Sequence, residues 1–440
     1  MGKQQLWEHR MAQRTPQERQ LLDKAAQYFP GGNNGNIGFS DGLNFLVREG
    51  RGSHIWDVSG NEYVDWLMGA GPMVLGHAHP AVTEAVIKAV EQGSTFFADS
   101  EKAVLLAEEL VKAVPCADQV RFTTSGTDAC FQAMRAARAY RGREKILKFE
   151  GGYHGSSDYA QMSVTPSARE EFPRSEANNA GIPHAIQELM LVAPFNDLET
   201  TTAIIEAHHD ELAGVIVEPL QRVLAPQLGF LKGLREVTAH YGIPLIFDEV
   251  VTGFRLAYGG AQEFYDVVPD MCTLGKIMGG GYPLAALLGR TEFMDVYDRS
   301  TAEPDRFVNQ IGTLNGNPIA CAAGLASLAE LRKEGAYDRL KEVGGRLRQA
   351  LKDICKENDI PVQMCGEDAI FDIYFIDRPV VNYRDTLLAD SGMIARFNTG
   401  LLERGILKGV PKFYPSIVHT DEDVDRTIRA FEEVIPGIKN

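Results

Sequence analysis

The chain has 440 residues, 44% of them apolar, enough for a large core and of a length that normally divides into two domains. A formal net charge of −16 argues against nucleic acid or an anionic membrane as partner. No stretch reaches the run of about 20 apolar residues that spanning a bilayer requires. The six cysteines, at 116, 130, 272, 321, 355 and 365, stand singly, without Cys-x-x-Cys or zinc-like histidine spacing. They read as buried apolar residues of a reducing compartment, and the polar N-terminus shows no apolar run ahead of a cleavage site, so a cytoplasmic location is expected.

In chain order, Leu21, Leu22, Ala25 and Phe29 recur at helical spacing, and Pro30-Gly31-Gly32 ends that helix. GGNNGNIGF follows as a loop whose glycines and asparagines tolerate left-handed backbone; it serves either as a turn or as a ligand loop. Phe45 to Trp66 predicts two or three antiparallel strands, with turns at Arg51-Gly52 and Ser59-Gly60-Asn61. MGAGPMVLGHAHP then leads into a helix from Pro80 to Glu91 that starts with proline, where a missing amide hydrogen costs least. His77 and His79 stand in a loop without a carboxylate, so structural hydrogen bonding outweighs metal binding as their role.

Gln119 to Thr123 predicts a strand, after which Thr124-Ser125-Gly126-Thr127-Asp128 opens an amphipathic helix ending near Arg141. Free amides and the helix dipole make such a start an anion site, although the same residues alone make a good N-cap. Beyond the strand Lys145 to Phe149 comes EGGYHGSSD, with Tyr153 and His154. From Ala160 to Ala193 the chain reads as a long irregular segment, and loops of that length are usually lids or disordered. Val215-Ile216-Val217 predicts a buried strand with Glu218 at its end. Arg222 is the nearest spare cation for a substrate carboxylate, with a solvated surface position as its commoner reading. Helix Leu231 to His240 continues the strand-helix-strand pattern that a parallel α/β sheet requires.

Leu245-Ile246-Phe247 predicts a buried parallel strand that delivers Asp248 and Glu249 at its carboxyl end, where open α/β sheets place ligands. A second strand, Met271 to Leu274, presents Lys276 ahead of three glycines. A desolvated lysine can lose its proton and attack a carbonyl, and a carboxylate can hold a pyridine nitrogen protonated. Each residue alone has a commoner reading, as a cap, a salt-bridge partner or a solvated charge. Together, DEVVTGFR followed by TLGKIMGGG resembles the signature of the class III aminotransferases, a branch of the fold-type-I pyridoxal-phosphate enzymes. The resemblance runs from roughly Pro30 to Asp425 and is closest to the glutamate-1-semialdehyde aminomutase branch.

What the resemblance implies is an α/β chain with a large, mostly parallel sheet domain over 76–316 and a smaller α/β domain built from 1–75 and 317–440. It implies pyridoxal 5'-phosphate as cofactor, joined to Lys276 as a Schiff base, with Asp248 on the ring nitrogen and Ser125, Gly126 and Thr127 on the phosphate. Tyr153 would cover one face of the ring, and Glu218 would lie near it. Thr313 would reach a phosphate across the interface of a homodimer, and the segment 160–193 would be a mobile gate. Further on, Leu284 to Leu288 predicts a strand. Helices are expected at Pro318–Arg332, Tyr337–Glu357, Met393–Arg404 and Thr420–Val434, with strands near Phe371–Phe375 and Leu407. DEDVD at 421–425 reads as helix capping and dipole charge in preference to a calcium site.

The expected reaction is amino transfer between an amine or amino acid and a keto or aldehyde acceptor. Gly38 stands where the aminomutase branch has a carboxylate-binding arginine, Ala70 where it has tryptophan, and Tyr414 where it has glutamate. Intermolecular transfer is therefore favoured over the aminomutase isomerisation, with amino-acid racemisation a further alternative. A dinucleotide site lacks its G-x-G-x-x-G, and no basic recognition helix supports a DNA-binding regulator.

Overall fold

The computed structural model describes residues 14–35, 45–409 and 412–439; Gly38 and its neighbours in the loop lie outside them. Helix α1 (Pro16–Tyr28) is capped by Thr15 and begins on proline. Strands β1 (Val47–Arg51), β2 (His54–Asp57) and β3 (Glu62–Asp65) form the antiparallel set expected between 45 and 66. Helix α2 (Pro80–Gln92) follows. Helix α3 (Glu101–Ala113) has no counterpart in the sequence reading, although Ser100 caps it and Ala103, Leu106 and Leu110 are buried at helical spacing.

Seven strands build the large sheet: β4 (Gln119–Thr123), β5 (Lys145–Phe149), β6 (Met190–Ala193), β7 (Leu212–Val217), β8 (Leu245–Asp248), β9 (Met271–Leu274) and β10 (Ala285–Gly289). Their order across the sheet is β4-β10-β9-β8-β7-β5-β6. Neighbours run parallel except at β10, which is antiparallel to both β4 and β9. Every residue of β6 to β10 is buried, because helices cover both faces, and that double burial is why these strands read as unbroken apolar runs. Helices α4 (Gly126–Arg141), α5 (Leu198–His208) and α6 (Phe230–His240) supply the crossovers. The segment read as irregular from 160 to 193 is shorter than expected: its last four residues are β6, an edge strand paired with β5.

The C-terminal part contains α7 (Pro318–Leu331), α8 (Ala336–Glu357), the hairpin β11 (Gln363–Glu367) and β12 (Ile370–Tyr374), α9 (Ser391–Glu403), β13 (Ile406–Leu407) and α10 (Asp421–Val434). Strand β13 joins the N-terminal sheet in parallel register, Ile406 opposite Val64 and Leu407 opposite Asp65. A second core, with Val64, Trp66, Leu347, Phe371, Phe397 and Phe431 among its members, seals the two ends of the chain together. Thr420 and Asp423 form a reciprocal capping box at the start of α10, as the capping reading of DEDVD expects. No helix among the described residues is long and apolar enough to cross a membrane.

Candidate active site

Strand β8 ends at Asp248, whose side chain faces a cavity of about 460 Å³ at the carboxyl ends of the parallel strands. Four donors hold the carboxylate. His154 Nδ1 lies 2.8 Å and Cys130 Sγ 3.3 Å from Oδ2, while the Val250 amide and the Thr273 hydroxyl reach Oδ1 at 3.1 and 3.2 Å. Burial opposes ionisation, but the hydrogen bond and charge of His154, with the Val250 and Cys130 donors, hold the carboxyl below its ordinary range. The adjacent Glu249 turns the other way. It accepts from Thr252, Gln262 and the Ala261 amide, and burial pushes it up to about 7.

Lys276 follows β9 across the extended Gly275 and adopts φ 50°, a left-handed backbone that only Gly takes without strain. Its side chain lines the same cavity. Burial pulls the amine below the ordinary lysine range against the opposing charges of Asp248 and Glu218. Glu218 bonds the backbone amides of Tyr153 at 2.6 Å and Arg222 at 2.9 Å, so one carboxylate fixes two loops beside the cavity.

The N-terminus of α4 opens on the cavity through Ser125, Gly126 and Thr127. Ser125 Oγ accepts from the Asp128 amide, and Thr127 Oγ1 from the Ser156 amide. Packing there excludes side chains: a Cβ on Gly126 would lie 2.9 Å from Val250, and one on Gly155 only 2.5 Å from the Thr127 Cα. Tyr153, 42% exposed, lines the cavity with its neighbour His154, which is fully buried. Seven of the residues singled out from the sequence (Ser125, Gly126, Thr127, Tyr153, Glu218, Asp248 and Lys276) thus meet around one space. Thr313 does not: it lines a separate cavity with Phe96, Phe97 and Gln310.

Several placements correct or extend the sequence reading. Arg222 is not a solvated surface residue but half-buried on the cavity wall, its guanidinium carbon 5.4 Å from the Tyr153 ring centre. His77 pairs with Asp65 at 2.7 Å, a structural bond. No residue of 160–193 is among those lining the cavity. Sequence reasoning missed Lys412, a buried lysine on the cavity wall beside Tyr414. Arg255, the last residue of DEVVTGFR, is likewise fully buried.

Residues 39–435 match the family profile described as "Aminotransferase class-III". The chain belongs to the class III aminotransferases. It is 39% identical over 435 residues to a glutamate-1-semialdehyde 2,1-aminomutase of Methanocaldococcus jannaschii, covering 98% of this chain and all of that one. A solved omega-transaminase from Sphaerobacter thermophilus superposes with a TM-score of 0.92 at 36% identity, over 96% of this chain and 98% of that one. A second solved structure, described as a transaminase with PLP bound, gives 0.88 at 30% identity over 96% and 97% of the two chains. As a member of this family the chain has the fold-type-I architecture, and its cofactor is pyridoxal 5'-phosphate. The cavity fits that group chemically. A helix N-terminus with hydroxyl donors suits a phosphate, an ionised buried carboxylate suits a ring N–H, and an amine with a lowered pKa lies in the same space.

Proposed function

We propose that this protein moves an amino group between an amine or amino acid and a keto or aldehyde acceptor, with Lys276 and Asp248 as its catalytic residues. The observation that carries the reading is the pairing of states in one cavity: a carboxylate kept ionised by four donors and a lysine kept short of protons by burial. Bound pyridoxal 5'-phosphate supplies an electron sink for the charge left when the substrate carbon loses a proton. Lys276 would hold the cofactor through its amine, and the same amine, when free, would take the proton from the substrate carbon and return it elsewhere. Asp248 holds the ring N–H, Ser125, Gly126 and Thr127 hold the phosphate, Tyr153 packs on the ring, and Glu218 keeps the Tyr153 loop in place.

In this reading the active unit is a cytoplasmic homodimer in which Thr313 of one protomer completes the partner's phosphate site. Exposed apolar residues beside Thr313 support it, with Phe97 and Ile311 each 71% exposed. A second reading, aminomutase isomerisation of glutamate 1-semialdehyde, is supported by the 39% identity to an aminomutase over nearly the whole chain. Against it stands the sequence of the loop at 31–44, which has no basic residue to take the carboxylate of glutamate 1-semialdehyde. Borohydride treatment of the cofactor-loaded protein is expected to label Lys276, and an unlabelled Lys276 would end the proposal. Incubation with glutamate 1-semialdehyde separates the two reactions, because efficient 5-aminolevulinate formation would favour the isomerase.

A further inference from the structure

His154 and Gln221 are each 1% exposed, and each leaves one polar atom without a hydrogen-bond partner among the described residues: Nε2 of the imidazole and Oε1 of the amide. The other end of each side chain is fixed. His154 Nδ1 lies 2.8 Å from Asp248 Oδ2, and because an ionised carboxylate only accepts, Nδ1 carries the hydrogen. In the neutral ring Nε2 is then left with a lone pair. Gln221 Nε2 donates to the Glu150 carbonyl at 2.8 Å, which orients the amide, since a flipped amide would set oxygen against oxygen. Two acceptors are thus buried with no protein group donating to them, which costs free energy unless a donor joins them.

Both acceptors face the same residue. A Cβ on Gly152 would lie 3.3 Å from His154 Nε2 and 3.5 Å from Gln221 Oε1. Gly152 has no positive φ, so its backbone does not call for glycine, and the missing side chain leaves open the side of the loop that both atoms approach. The third atom near that point, the Phe149 carbonyl oxygen at 3.0 Å, already accepts from the Gly152 amide. A water molecule offers two donors in one small body and is held inside proteins by about two to four polar partners. We propose that one buried water bridges His154 Nε2 and Gln221 Oε1, so that Gln221 acts through it to hold the His154 ring against Asp248. Gln221 is then a positioning residue at the far end of a chain that finishes on the Asp248 carboxylate. Its meaning for catalysis rests on the aminotransferase reading, which puts that carboxylate on the cofactor's ring nitrogen, but the water and the ring can be observed without turnover.

The test is nuclear magnetic resonance of the holoenzyme carrying nitrogen-isotope-labelled histidine, with the His154 ring signals assigned by their loss in His154→Asn. Wild type is expected to show a protonated Nδ1, a bare Nε2 and slow exchange of the Nδ1 hydrogen with solvent. A high-resolution crystal structure should show one water within hydrogen-bond reach of both Nε2 and Oε1. Gln221→Met removes one acceptor, whereas Gly152→Ala puts a methyl group on the water's side of the loop and leaves Gln221 on the Glu150 carbonyl. Each should speed the Nδ1 exchange about 10-fold, the factor that one lost hydrogen bond predicts. Gln221→Glu should restore slow exchange, because a carboxyl kept neutral by burial retains a donor for the Glu150 carbonyl and an acceptor for the water. A dry gap or a direct contact between Nε2 and Oε1, a hydrogen on Nε2 in wild type, or exchange unchanged in both variants would each overturn the proposal. So would faster exchange in Gln221→Met alone, which would limit Gln221 to bracing the Glu150 carbonyl. Borohydride labelling of Lys276 in the same preparations reports separately on the aminotransferase reading.

Discussion

Asp248 is 6% exposed and yet ionised, because four donors within 3.3 Å replace the water it loses. Asp248→Asn keeps the shape and removes the charge. Under the proposed mechanism it should retain cofactor while kcat falls roughly 10²-fold or more; near-normal turnover at full cofactor content would remove Asp248 from the chemistry. Lys148 acts one layer further out. Its three carbonyl acceptors, at 3.0, 2.9 and 2.5 Å, require three N–H groups, which only the ammonium has, although burial draws it down to about 7. Those carbonyls belong to the loop that carries Tyr153 and His154. Lys148→Met should cost on the order of 3 kcal/mol by leaving them without donors, read as a lower urea midpoint; an unchanged midpoint would mean that water replaces the ammonium.

Arg255 shows how a single element joins separate parts of the chain. It stands on the turn after β8, fully buried, and donates to the carbonyls of Gly71, Ala369 and Pro415 at 2.6, 3.0 and 3.0 Å. Its guanidinium also lies 5.3 Å from the ring centre of Tyr414, so the turn that follows Asp248 carries the residue that positions the far wall of the cavity. Arg255→Lys replaces a planar fork by a point donor and should lose about 1–3 kcal/mol of stability. Chemical denaturation followed by circular dichroism would measure it, and a difference within error would show that the fork is dispensable. The N-terminus of α4 and the turn after β9 are the opposite case: short local motifs that bring Ser125 to Thr127 and Lys276 to the cavity because sheet topology aligns their strand ends.

At the scale of the whole molecule the two chain ends are locked by His419. Its ring stacks on Trp66 with centroids 3.7 Å apart, accepts from the Ser416 amide at Nδ1 and lies 3.1 Å from the Asp65 carbonyl at Nε2. That arrangement requires the neutral ring, and burial lowers the pKa to about 4. The folded state thus binds this proton less readily than the unfolded chain, whose histidine titrates near 6.5. The stabilisation is complete above that value, is lost as pH falls towards 4, and amounts to on the order of 3 kcal/mol. Denaturation midpoints should fall across this window in wild type and flatten in His419→Phe, which keeps a stacking ring without a titrating group. An unaltered pH slope in the variant would assign the acid sensitivity elsewhere. Asp423, held low by His54, Ser53 and the cap of α10 against the cost of burial, adds its loss only at more acidic pH.

Local order was legible from the chain alone. Unbroken apolar runs mark strands buried on both faces, and the glycine-framed Lys276, the Asp248 strand end and the Ser125–Thr127 helix start each declare themselves within a few residues. Long-range returns were not legible. Lys412, Arg255 and Lys148 look in sequence like ordinary solvated charges, and only tertiary packing buries them, giving Arg255 and Lys148 backbone carbonyls and placing Lys412 on the cavity wall 6.0 Å from the Tyr414 ring centre. The physical reason is that side-chain periodicity reports which face of an element is covered, whereas the partners of a buried charge are set by how the chain folds back, across 4 to 14 residues for Lys148 and 114 to 184 for Arg255.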